Sequence, residues 1–76
     1  MTLDKHQIDG LSEFTTKTLP APDFEVRMVA AGYSLAGSAS AQGNRLKIWW
    51  IHSEYQRVES IYSDDKQTVI TAYHVA

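Results

Sequence analysis

A chain of 76 residues has room for one domain, and at this size it buries only about 60% of its unfolded surface, so stability is marginal. It has no cysteine, which excludes disulfides and thiolate zinc sites, while 43% hydrophobic and 21% charged residues exclude wholesale disorder. A formal net charge of −2 leaves no basic footprint, which argues against nucleic acid as a partner.

From the N-terminus, residues 4–18 predict a helix. Ile8, Leu11, Phe14 or Thr15, Thr18 and Leu19 recur at steps of three and four. Asp4 suits the N-cap, with Gln7 three residues on. Gly10 costs such a helix about 1 kcal/mol relative to alanine, and Pro20-Ala21-Pro22 ends it. Residues 23–30 then alternate, Phe24, Val26 and Met28 against Glu25 and Arg27, which predicts a first strand. Residues 30–43 are rich in Ala, Ser and Gly. They read as a loop, a ragged strand running on to Ser38 or a short helix, with a strand or loop preferred. Gln42-Gly43-Asn44 makes the turn, since Gly and Asn tolerate positive φ.

The segment 45–52, RLKIWWIH, is apolar on both faces. Leu46, Ile48, Trp50 and His52 point one way, and Trp49 and Ile51 point the other, beside Arg45 and Lys47. A polar connection at 53–56 leads to a strand at 57–63. Residues 64–67 form the clearest turn, and 67–75 is β-branched and aromatic, with strong strand propensity. A two-residue turn at Asp65-Lys66 pairs Tyr62 with Val69 and Ile61 with Ile70.

The fold class this implies is α+β. A single domain over 1–76 has one N-terminal helix packed on an antiparallel meander sheet of about four strands. The helix-side face takes Phe24, Val26, Met28, Leu46, Ile48, Trp50, Val69 and Tyr73. Trp49, Ile51, Ile61, Ile70 and Ala72 fall on the other face. Two arrangements satisfy them: residues 30–43 fold over that face, or it is an exposed apolar patch on the order of several hundred Å² that marks an interaction surface.

Chemical motifs are sparse. His6, His52 and His74 lack zinc-motif spacing, and there is no phosphate loop, dinucleotide fingerprint or nucleophile elbow. No metal or cofactor is expected. One catalytic constellation exists on paper: Ser60, Tyr62, Thr71, Tyr73 and His74 on paired strands, with His52, Arg45, Lys47 and Arg57. A metal-free ribonuclease needs only a general acid, a general base and a cation for the phosphate. The stretch RVESIYSDDKQTVITAYHV, residues 57–75, resembles the final hairpin of small RelE-like bacterial ribonuclease toxins. That resemblance implies a helix followed by an antiparallel sheet, and RNA cleavage without metal. The acidic balance argues against it.

The leading expectation is therefore a non-enzymatic regulator or inhibitor of the bacterial or phage accessory type. It binds a protein partner, or itself as a homodimer, through Trp49, Ile51, Ile61 and Ile70, with Tyr55 available beside them. The alternative is a compact metal-free ribonuclease or an inactive relative. No stretch approaches the roughly 18 apolar residues of a membrane span, and the first ten residues hold no signal-like apolar core. The expected location is the cytoplasm.

Overall fold

A computed structural model describes residues 2–76. A two-residue strand β1 (Leu19–Pro20) leads directly into a helix α1 (Ala21–Ala30). Four longer strands follow: β2 (Ser34–Ser40), β3 (Leu46–Ile51), β4 (Val58–Tyr62) and β5 (Thr68–His74). They form one sheet of order β1-β5-β4-β3-β2, antiparallel at every pairing. This is the expected α+β class, one helix on an antiparallel meander, with five strands. Among the described residues no helix is long and apolar enough to cross a membrane.

The helix stands where the first strand was expected. Residues 4–18 contain only a single 3-10 turn, Leu3–Lys5, followed by irregular chain. Gly10 explains much of this, because its φ of +90° takes the backbone out of the helical region. Ile8, Phe14 and Leu19 are nevertheless buried, and Leu11 packs against them; the apolar residues that suggested a helix enter the core without a helix between them. Pro20-Ala21-Pro22 starts a helix where it was expected to end one. Proline is tolerated in a first turn, where its missing N–H has no partner to lose. Phe24 and Met28, four apart, are buried, and Val26 between them is 68% exposed. The alternation at 24, 26 and 28 therefore contained a helical i, i+4 pair.

Helix α1 ends in a Schellman motif. Gly32 N–H bonds the Val29 carbonyl and Tyr33 N–H bonds the Met28 carbonyl, each at 3.0 Å. Gly32 has a φ of +96°, and a Cβ there would lie 2.8 Å from His52 Nε2. The turn at 42–44 is also glycine- and asparagine-driven, with φ of +74° at Gly43 and +64° at Asn44. Residues 34–40 extend the sheet as β2 and do not fold over its second face.

The last hairpin corrects the expected faces. Tyr62 pairs with Val69 as anticipated, but Ile61 pairs with Thr71 and not with Ile70. The turn is longer than two residues: Ser63 N–H bonds the Thr68 carbonyl at 2.8 Å, leaving 64–67 as the loop. The extra residue in β5 is a bulge, and a bulge reverses the alternation beyond it. Ala72 therefore lies in the core and Tyr73 on the opposite face, the reverse of the expected assignment.

The core lies between the helix-side face of the sheet, α1 and residues 3–14. Phe24 is at its centre, with ring centroids 6.2 Å from Phe14, 6.1 Å from Trp50 and 6.5 Å from Tyr62. Trp50 is 1% exposed, as its side of the strand predicted. Two polar ties run through this layer. Trp50 Nε1 donates to Ser60 Oγ at 3.2 Å, and Ser60 Oγ donates to the Ile48 carbonyl at 2.8 Å.

Candidate functional site

The face turned away from α1 follows from the strand registers. Lys47, Trp49 and Ile51 come from β3, Glu59 and Ile61 from β4, and Thr71 and Tyr73 from β5. Gly37 and Ala39 of β2 flank Trp49 and Lys47. With no side chain on Gly37, the Trp49 ring lies across it; a Cβ there would meet Trp49 at 3.5 Å.

Glu59 sits in the middle of this face. Its Oε1 accepts a hydrogen bond from Trp49 Nε1 at 2.9 Å and faces Lys47 Nζ at 3.7 Å. Its Oε2 accepts from the Tyr73 hydroxyl. Burial disfavours the charge, but the bonds from Tyr73 and Trp49 and the charge of Lys47 outweigh it, so Glu59 titrates below the usual carboxylate value. Conversely, the bond to Glu59, then burial, push the Tyr73 hydroxyl up to about 12. His6, from the N-terminal segment, packs against Tyr73 with ring centroids 5.6 Å apart.

Beside this cluster runs a groove of about 540 Å³. Arg45, Lys47, Gln42 and Ser40 line it from the β2–β3 end, and Ile61, Ile70, Thr71 and Tyr73 from β4 and β5. Thr71 is 6% exposed, and its Oγ1 has no hydrogen-bond partner. The groove combines two cations with two isoleucines, so the face is more polar than the apolar patch the sequence suggested.

Of the five residues expected to bind a partner, Trp49, Ile51, Ile61 and Ile70 are on or beside this face. Ile51 is the most open of them, 49% exposed. Tyr55 is elsewhere: its ring packs on His52 at 4.5 Å and Tyr33 at 6.3 Å, against Gly10 at the end of the helix-side layer. The catalytic constellation read from the sequence is divided. Ser60 and Tyr62 are buried, Tyr62 donating to Glu25 Oε2 at 2.8 Å. His52 is engaged at both nitrogens, Nε2 with the Ala31 carbonyl at 2.9 Å and Nδ1 with the Glu54 N–H at 3.0 Å. His74 is held likewise, by the Asp9 N–H and the Gln56 carbonyl, each at 2.9 Å. These two histidines fasten loops to the sheet.

Only Thr71, Tyr73, Arg45 and Lys47 of that constellation share the groove, and Glu59 and His6 join Tyr73 beside it. Sequence reasoning placed neither at this site. Glu59 carried one usable signal, a carboxylate in mid-strand on the parity of Ile61. Nothing local to His6 announced a meeting with residue 73. Among the described residues no three His, Asp or Glu side chains converge as metal ligands. No family model, curated protein or solved structure matches the chain.

Proposed function

We propose that the chain is a compact metal-free ribonuclease acting on the open face of its sheet. The observation that carries this reading is Glu59, an ionised carboxylate held by Trp49, Tyr73 and Lys47 beside a groove that also presents Arg45. A carboxylate has about four lone-pair sites, so the three donors do not saturate Glu59. In the proposed step a ribose hydroxyl oxygen attacks phosphorus and its proton passes to Glu59. The bond from phosphorus to the leaving oxygen breaks, and that oxygen takes a proton from water. The products are a cyclic phosphate and a free hydroxyl. Lys47 and Arg45 meet the charge that builds on the phosphate oxygens.

The net charge of −2 describes the whole chain, whereas a phosphate meets the local field of the groove. A second reading keeps the same face as a protein-docking surface through Trp49, Ile51, Ile61 and Ile70. The exposure of Ile51 favours it.

The test is incubation of the purified chain with total RNA and with ribosomes in the presence of a chelator. Cleavage is expected to fall at least a hundredfold in Glu59→Gln and clearly in Lys47→Ala, and to persist in His52→Ala if that variant folds. RNA left intact by the wild type, or cut equally by Glu59→Gln, would reject the ribonuclease reading. The docking reading would then stand alone.

A further inference from the structure

The two edges of the sheet are built differently. At one edge β1 is two residues long and contains Pro20, both common ways of closing an edge to further pairing. At the other, β2 is seven residues long, exposed throughout, and bonded to β3 on one side only. Its sequence, SLAGSAS, holds no charge and no proline. A free strand of that kind is a template for another strand. Its one irregularity is a bulge between Leu35 and Gly37, beyond which Gly37 to Ser40 pair regularly with β3.

We propose that β2 is a homodimer seam, pairing antiparallel with β2 of a second copy about a two-fold axis at Ser38. Symmetry selects this register. A two-fold axis perpendicular to a sheet keeps each side chain on its own face, so residue numbers across the seam must sum to an even number. Of the residues that pair regularly, Ser38 and Ala39 are interior, and Ser38 as centre keeps the longer overlap of β2 with itself, residues 36–40 against 38–40 for Ala39.

The second copy is a suitable occupant because nothing charged or bulky meets across the seam. Ser38 faces Ser38, an arrangement open to a hydroxyl–hydroxyl bond. Gly37 faces Ala39 and Ala36 faces Ser40. Leu35, 65% exposed in the single chain, comes beside Ala41 of the other copy. The joined sheet carries both helices on one side and both grooves on the other. One strand per copy is a small interface, so the dimer is weak and concentration-dependent. It stands independently of any chemistry in the groove.

Light scattering across a dilution series should show the wild-type mass rising toward twice that of the chain. Ser38→Lys places like charges face to face and should weaken association at least tenfold, with an unchanged circular dichroism spectrum. A second measurement does not depend on that variant folding. The chain has no cysteine, and directly opposed residues of antiparallel strands lie about 4.5–5.5 Å apart at Cα, within disulfide reach. Ser38→Cys should therefore form a covalent dimer under mild oxidation far faster than Asp64→Cys, placed off the seam in the 64–67 loop. A wild type that stays monomeric at every concentration would overturn the proposal, as would equal cross-linking of the two cysteine variants.

Discussion

Ser60→Ala tests the polar tie inside the core. Ser60 is fully buried and Trp50 nearly so. The substitution removes the acceptor of Trp50 Nε1, leaving a buried N–H with no partner, which costs about 1–3 kcal/mol. It also removes the bond to the Ile48 carbonyl, about 0.5–1.5 kcal/mol net. The sum is about 1.5–4.5 kcal/mol, against a total stability of about 0.05–0.15 kcal/mol per residue for a domain. At about 4–8 °C per kcal/mol for this size, melting should fall by at least about 6 °C. Trp50→Phe supplies the control, because it deletes the donor. In that background Ser60→Ala loses only the Ile48 bond, and its cost should drop to about 1 kcal/mol. Urea unfolding of the four proteins, at constant m value, measures the coupling, expected at about 1–3 kcal/mol. A Ser60→Ala protein within about 0.5 kcal/mol of wild type, or additive effects around the cycle, would show that the tie contributes nothing and that the reasoning is wrong.

Two further predictions concern backbone and charge. Gly32→Ala combines an unfavourable φ of +96° with a Cβ 2.8 Å from His52 Nε2, so it should destabilise by more than the roughly 1–2 kcal/mol that left-handed geometry alone costs an L-residue; a neutral effect in thermal melting would count against the Schellman turn. Glu59 has a lowered pKa in the folded chain, so its contribution to stability is present above the ordinary carboxylate range and is lost as pH falls through the folded value. Stability measured against pH should therefore decline on acidification less steeply in Glu59→Gln, and identical profiles would contradict the network. At the alkaline end Tyr73 holds its proton up to about 12. Ultraviolet titration should show that late step move to lower pH in Glu59→Gln.

The chain by itself specified the class of fold and its C-terminal half. Alternation over 45–52 and 57–63, a turn rich in Asp, and β-branched residues after it are local signals, and side-chain parity turned them into a correct inner Trp50 and outer Trp49. Three decisions belonged to tertiary structure. Phe24, Val26 and Met28 fit a strand and a helix equally, and what settles such a tie is which positions find a core; Phe24 and Met28 meet the sheet together only from a helix. Residues 4–18 have helical spacing, yet Ile8 and Phe14 are buried without α-helical hydrogen bonds, because contact with the sheet supplies what Gly10 denies the backbone. The bulge at Ile70–Thr71 inverts the faces of β5, and no pattern with a period of two can announce its own interruption. That one extra residue carries Tyr73 to Glu59, which is why the candidate site appears only once the strands are paired.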